Sequence, residues 1–469
     1  MTDILRMRRE PGIIFRNATV LTMDNHQILY RTDVRIQKVP AYHRSLYTDA
    51  TDVTDRQHDS ACNPDVLQHD SNDIQDNRRR GTSVITDVRP QIIPEPGDEV
   101  IDCTGKYIMP GLIDAHVHFD HDYMGPMFLA AGITTVRNMR GYREHALRIR
   151  RIREGSLPGP YIESTGPIFD GEDPEIPEND NWIIHTTDDV EEGILYTKDN
   201  GFRFVKTYPS IEPELYRYLM RRCADEDLPV SGHMTKTISH EELADLGYYC
   251  CEHSSSLPHE NSSIDYISRA GLWFCPTQLV CETLPDYVWN GKRLEDLEKW
   301  ETLPVCEQQE WMRKNEVIAE SYKRQGIHPD IQVIIDRGRR FIENSDRVLA
   351  GSDCAYPGII PGFALWTELI KLVNLYGMSN EEALLSATVR PANCMKLGGR
   401  KGRIVPGMDA DLVILRENPL SDIRGTASVE TVAADGRIYD RAFFEKELSR
   451  IHDITELPEP PGGRDITSQ

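Results

Sequence analysis

The sequence predicts an α/β protein built on a (β/α)8 barrel of TIM type, with a small discontinuous β-sandwich domain formed by the N- and C-terminal segments. Three observations carry this. From about residue 99, short apolar strand-like runs alternate with helix-like segments, eight such runs can be counted, and further short strands lie on both sides of them. Alternation of strand and helix implies parallel β/α units, and eight of these close naturally into a barrel.

In chain order, residues 12–36 (GIIFRNATVLTMDNHQILYRTDVRI) hold short runs rich in Val, Ile and Thr, broken at Asp-Asn and Arg-Thr-Asp, as short antiparallel strands would be. From about 38 to 97 the chain turns to Asp, Asn, Gln, Arg, His and Ser with little apolar periodicity, which predicts a mobile insertion. Apolar patterning resumes at EVIDCTGKYIMPGLID (99–114). The eight candidate strands start near Ile113, Ile133, Pro160, Phe202, Pro229, Tyr248, Leu272 and Val348, with helical segments at 143–154, 212–226, 239–246 and 363–376. Strand-like runs return in GRIVPGMDADLVILR (402–416) and VETVAADGRIY (429–439). The expected divisions are therefore 1–110 for the first half of the small domain, 111–398 for the barrel, 399–447 for the second half, and a tail over 448–469. From about Glu456 that tail is rich in Pro and Gly and is expected to be unstructured or draped on a neighbour.

Composition narrows the function. With 469 residues the chain can build one large domain and a smaller one, and 39% hydrophobic with 28% charged residues is ordinary for a globular protein. A net charge of -23 repels phosphate backbones and anionic lipid, which argues against nucleic-acid and membrane partners. The one basic run, Asn77-Arg78-Arg79-Arg80, lies in a polar stretch and reads as solvated loop. No apolar leader or membrane-length window is found, so a cytoplasmic location is expected. The ten cysteines include no CxxC pair and read as reduced residues; Cys250 and Cys251 read as strand core.

The sharpest local feature is His116-Val117-His118 at the end of an apolar strand, because alternate strand residues share a face and both imidazoles can reach one point. Alone the pair is a weak signal. Four other candidate strands also end in ligand-type residues: Lys206 after FRFV, His233 after PVSG, His253 after YYCCE, and Asp353 after VLAGS. Catalytic groups of such barrels come from several strands at the C-terminal face, so six such residues converge on one rim. Each has a plainer reading. Lys206 could be a surface lysine, His233 and His253 core or capping histidines, and Asp353 an N-cap. Phe204-Val205 predict burial of Lys206, however, and a buried ammonium is costly. As a neutral amine it can add carbon dioxide and become a carbamate, whose two oxygens can bridge two cations.

Read in order, PGLIDAHVHFD (110–120), FVKTY (204–208), GHMTK (232–236), CEHSS (251–255), PTQ (276–278), GSDCA (351–355) and GRIVPGMDADLVILRENPLSDI (402–423) resemble the metal-site motifs and C-terminal signature of the amidohydrolase superfamily. The likeness extends over nearly the whole chain apart from about 38–97 and the last dozen residues. It is strongest to the subgroup of imidazolonepropionases, Xaa-Pro dipeptidases and ochratoxin-type amide hydrolases. The resemblance implies that His116, His118 and Asp353 hold one divalent cation and His233 and His253 the other, with carboxylated Lys206 bridging them. Such a set suits zinc, and would accept manganese, cobalt or nickel. Two cations sharing a water leave a bridging hydroxide at neutral pH; Asp353 would act as general base and then acid, and Tyr208, on the same face as Lys206, would donate to the oxyanion. The expected activity is hydrolysis of an amide-type C–N bond in a small molecule: peptide, N-acyl, lactam or aryl amide.

Two stretches depart from the related enzymes. FDGEDPEIPENDNWIIH (169–185) replaces a glycine- and histidine-rich loop, and 281–330 is a long segment with Trp289, Trp300 and Trp311. Both are expected on the catalytic rim, shaping the pocket. His121 and His185 read as ordinary loop histidines. The competing readings are a one-metal deaminase, which would usually carry glutamate where this chain has Lys236, a lyase or cyclase on the same metals, and a non-catalytic scaffold. A homo-oligomer is expected, as is common among such barrels.

Overall fold

The computed structural model describes residues 10–39, 82–174, 181–354 and 356–458. With strands numbered along the chain, β1 (Gly12–Leu21), β2 (Ile28–Val39), β3 (Thr82–Arg89), β4 (Glu99–Asp102) and β5 (Tyr107–Pro110) join β14 (Leu412–Leu415), β15 (Val429–Ala434) and β16 (Arg437–Asp440) in one sheet. Its order is β16-β15-β14-β5-β1-β2-β3, with β4 beside β1. Residues from both ends of the chain thus share a single core, in which Phe15, Val34 and Ile36 meet Ile108, Leu412 and Ile414.

The expected insertion over 38–97 is shorter than the sequence suggested. Residues 82–89 form β3, paired antiparallel with β2, and Val84 and Ile85 are fully buried against it. Val84 and Ile85 point to opposite faces and are both buried, so TSVITDVR lacks the in-out alternation that marks a half-exposed strand, and only its pairing with β2 reveals it. Residues 40–81, where a mobile loop was expected, lie outside the described residues, as does the tail beyond 458. Helix Arg441–His452, which the sequence reading did not separate from that tail, is anchored by Phe444 and Ile451. It packs on helix Met124–Ala130, all seven of whose residues are buried. Covering a helix on every side is what an apolar surface all round requires.

The second sheet is the barrel. β6 (Leu112–Val117), β7 (Ile133–Asn138), β8 (Tyr161–Asp170), β10 (Phe204–Thr207), β11 (Val230–Gly232), β12 (Cys250–Glu252) and β13 (Trp273–Cys275) run parallel in the order β13-β12-β11-β10-β8-β7-β6, and the two-residue β9 (Trp182–Ile183) lies off β8. The barrel strands are buried on almost every residue, as strands covered by helices on one face and by each other on the other must be. The helices between them are amphipathic. Helix Pro213–Asp225 buries Tyr216, Leu219, Met220 and Cys223, the spacing of one helical face, and begins with proline under a Glu212 side-chain cap.

The eighth unit, expected from Val348, closes the barrel without forming a regular strand. Phe274 bridges Val348 on one side and Val117 bridges Cys354 on the other, with Leu349 N donating to Phe274 O (2.8 Å) and Ala115 N to Ala350 O (2.9 Å). Gly351 explains the tight fit: a Cβ there would lie 2.4 Å from Cys275 Sγ and 2.8 Å from His116 Cβ. Among the described residues no helix is long and apolar enough to cross a membrane.

Candidate functional site

The side chains that carry chemistry gather where the barrel strands end. His116, within β6, is fully buried, and its Nδ1 lies 2.8 Å from Glu252 Oε2. A carboxylate only accepts, so Nδ1 carries the proton and Nε2 keeps its lone pair. That Nε2 lies 3.3 Å from Asp353 Oδ1 and 3.3 Å from Lys206 Nζ. His118 follows two residues on, and its Nε2 lies 3.2 Å from the same Asp353 oxygen.

His253 sits just past β12. Its Nδ1 is 2.6 Å from Thr277 Oγ1, and that hydroxyl donates to the Pro276 carbonyl at 2.9 Å. The hydroxyl proton being used there, Thr277 accepts from Nδ1–H and leaves the lone pair of His253 on Nε2. The ring centroid of His253 is 4.8 Å from that of His116 and 4.6 Å from that of His233, and Asp353 Oδ2 is 3.7 Å from Nδ1. Tyr208 packs on His233 with centroids 4.4 Å apart, and Lys206 Nζ lies 5.5 Å from the Tyr208 ring centre. His116, His118 and His253 thus gather around Asp353, Lys206 joins them at His116, His233 adjoins through His253, and Tyr208 adjoins through His233.

Backbone geometry helps to set this arrangement. His253 (φ 70°), Thr277 (φ 43°) and Asp353 (φ 58°) all adopt left-handed conformations that non-glycine residues rarely hold, a cost of roughly 1–3 kcal/mol each that the surrounding barrel must sustain. His253 directly follows β12, Thr277 lies two residues past β13, and Asp353 lies in the bridged eighth unit. Gly232, just before His233, has φ 137°, and a Cβ there would lie 2.2 Å from Thr207 O.

The cluster is closed beneath and open above: His116 has no exposed side-chain surface, whereas His118 keeps 20% and Asp353 14%. Burial, helped by Lys206 and the neighbouring imidazoles, pushes His116 well below the ordinary histidine range, and burial likewise depresses His253 and His118. Burial brings Lys206 down to about 8 against the pull of Asp353 and Glu252. At Asp353 burial alone would raise the carboxyl, but His253, His118 and Lys206 hold it down to about 2.

The sequence reading missed the groups beneath the rim. Glu252 is fully buried, with Oε1 accepting from Arg137 (2.7 Å) while Oε2 takes His116. Arg137 Nε also donates to the Ala115 carbonyl at 2.6 Å, locking β7 to β6. His116, Glu252 and Cys275 place ligand atoms within 4.8 Å of one another, as His116, His253 and Asp353 do. The first trio is already committed. Glu252 is committed to Arg137 and His116, and burial pushes the Cys275 thiol far up. A single charged residue in each of two short strands was the available signal, but β7 and β12 are not neighbours, so nothing local joins Glu252 to Arg137.

The rim loops divide. Trp311 is core, 1% exposed, with its indole N–H on Glu307 (2.6 Å) and its ring 6.2 Å from Trp300, so it does not line the pocket as expected. Helix Val305–Gln325 needs that one large anchor because Trp311 is its only fully buried residue. Trp289 instead pairs with His328, centroids 5.3 Å apart. His121 is buried on Tyr123 and His185 is exposed. Of the acidic loop, 175–180 lie outside the described residues; at its ends Asn181 donates to Asp170 at 3.3 Å.

A parallel barrel joined to a discontinuous sheet, with four imidazoles, an amine and a carboxylate on its rim, defines the class: a β/α-barrel protein with a built cluster of cation-ligand side chains. Residues 107–439 match the amidohydrolase family, and the chain belongs to it. An imidazolonepropionase of Kosmotoga olearia is 31% identical over 105 residues, 22% of this chain and 26% of that protein. Dihydropyrimidinase 2 of Caenorhabditis briggsae is 35% identical over 80 residues, 17% of this chain and 12% of that protein. The matched stretches therefore span about a quarter or less of these curated relatives. Among solved structures, bottromycin amidohydrolase has a TM-score of 0.68 at 18% identity, covering 96% of this chain and 92% of its own. A Xaa-Pro dipeptidase with bound methionine has a TM-score of 0.65 at 17% identity, covering 92% and 100%. At such identities the likeness is one of fold.

Proposed function

We propose that this protein is a binuclear metal-dependent hydrolase that cleaves an amide-type C–N bond of a small molecule. The observation that carries the reading is the meeting of two acceptors. The lone pair on His116 Nε2 faces Asp353 Oδ1 at 3.3 Å inside a buried cluster, where burial keeps the imidazole from taking a second proton. Lys206 Nζ, 3.3 Å from that Nε2, is the donor now beside them; once it is carboxylated the site holds acceptors only, which call for a cation, and the donor set of imidazole nitrogens and carboxylate oxygen is one that zinc favours. His116, His118 and Asp353 would hold one ion, His233 and His253 the other, and Lys206, carboxylated, would join them. Held by these residues, such ions would supply Lewis acidity, acidifying a bound water and polarising the substrate carbonyl.

The chain's own groups complete the reaction. Asp353, ionised and at the open face, takes the proton of the attacking water and delivers it to the leaving nitrogen. Tyr208, beside His233, donates to the developing oxyanion. Glu252 and Thr277 hold two imidazoles in the tautomer that presents Nε2. Metal analysis of the protein with a screen of dipeptides, N-acyl amino acids, lactams and aryl amides tests the reading. About two divalent cations per chain and turnover of one class are expected; a metal-free native protein, inert on all four after reconstitution, would refute it.

A further inference from the structure

A carboxylate on a distant helix reaches the back of this site. Glu368, in helix Ala364–Asn374, is fully buried, and its two oxygens accept from Gln278 N (2.8 Å) and Leu279 N (2.9 Å). Those amides follow directly on Thr277, the left-handed residue whose hydroxyl takes the Nδ1 proton of His253. Tyr376, just beyond the same helix, donates to Gln278 Oε1 (2.5 Å) and meets Ser254 Oγ (2.7 Å), the residue after His253. Glu368 and Tyr376 thus grip the Pro276-Thr277-Gln278 turn and the His253-Ser254 turn together, although neither touches the cluster of ligand-type side chains.

We infer that Glu368 is a positioning residue: by pinning the amides of Gln278 and Leu279 it holds Thr277 in its left-handed turn, and through the Thr277 hydroxyl it sets the tautomer and orientation of His253. The inference rests on the cluster being a metal centre. A helix cap alone would account for the two N–H contacts, but it would give no reason for the same turn to orient His253, nor for Tyr376 to tie that turn to Ser254. Glutamine at 368 keeps the shape but offers one acceptor oxygen and turns an NH2 toward the other backbone N–H. One amide is left unpaired and the turn is free to relax.

The test is Zn2+ affinity, read by chelator competition on apoprotein supplied with bicarbonate, alongside thermal unfolding. Thr277→Val should weaken one of the two ions about 10- to 100-fold and spare the other, with Thr277→Ser restoring it, the range typical of lost partners behind metal-ligating histidines. Glu368→Gln should weaken the same ion within that range, and Glu368→Gln/Thr277→Val should bind it no more weakly than Thr277→Val alone, because one acts through the other. If Glu368→Gln does not fold, Glu368→Asp, with its shorter reach, should show the same selective loss. A variant at 368 that lowers Tm while both affinities stay at the native level overturns the role, as do losses that multiply in the double variant. Native protein that takes up no Zn2+ overturns the metal-centre reading itself, a result distinct from these.

Discussion

The Nδ1 of His116 and the Oε2 of Glu252 lie 2.8 Å apart in the interior of the barrel, and neither side chain has any exposed surface. The other oxygen of Glu252 holds Arg137, so one carboxylate balances a buried guanidinium and determines which nitrogen of His116 is free to bind. Removing it should therefore act twice. Glu252→Gln is expected to weaken the ion at His116 by about 10- to 100-fold. Glu252→Ala, which strands Arg137 without a counter-charge, should cost about 3–5 kcal/mol in chemical denaturation. Native affinity in both variants would show that the pair serves the fold alone.

Lys206 must be neutral to add carbon dioxide, and burial has brought it down to about 8. The fraction of free amine rises with pH through that value. Reconstitution of apoprotein with Zn2+ should accordingly depend on bicarbonate and load more completely at pH 8.5 than at pH 6.5. Lys206→Ala should lose the bridged pair and nearly all turnover. Two ions retained with full activity in that variant would dismiss the carbamate.

Burial raises Glu368 from 4.5 to about 7 despite its two backbone donors. A carboxyl raised in the folded state binds its proton more tightly there than in the unfolded chain. Its stabilisation is complete below the unfolded value of 4.5 and is lost as pH rises through about 7. The loss amounts to about 3 kcal/mol at 1.36 kcal/mol per unit. In urea denaturation of apoprotein, the native chain should weaken between pH 4.5 and 7.5 by about that much more than Glu368→Gln. Parallel pH profiles would contradict this.

Asp353 and Tyr208 should separate kinetically. Asp353→Asn removes a proton acceptor and a ligand together, so kcat should fall by about 10²- to 10⁴-fold with weaker metal binding. Tyr208→Phe should lower kcat by about 10²-fold with both ions in place, as expected for the loss of one oxyanion donor. An unchanged kcat in the phenylalanine variant would make Tyr208 a packing residue beside His233.

What could be read from residues alone was what depends on neighbours along the chain. The positions of seven barrel strands, the helices 143–154 and 212–226, and ligand-type residues at the strand ends all follow from periodicities of two and 3.6 and from where an apolar run stops. The strand-like runs at both chain ends were legible for the same reason, although their pairing in one sheet joins Leu412–Leu415 to Tyr107–Pro110. Tertiary structure decided the rest, because the deciding partners lie far apart in sequence. Glu252 meets Arg137 across 115 residues, Gln278 N meets Glu368 across 90, and the eighth unit became a bridged segment only where Gly351 met His116 and Cys275. Strand β3 stayed hidden until β2 paired with it, and Trp311 looked like a rim residue until a core formed around it. Local pattern shows which face of an element is buried. Only packing determines which buried charge meets which, and hence which nitrogen of each imidazole is left to act.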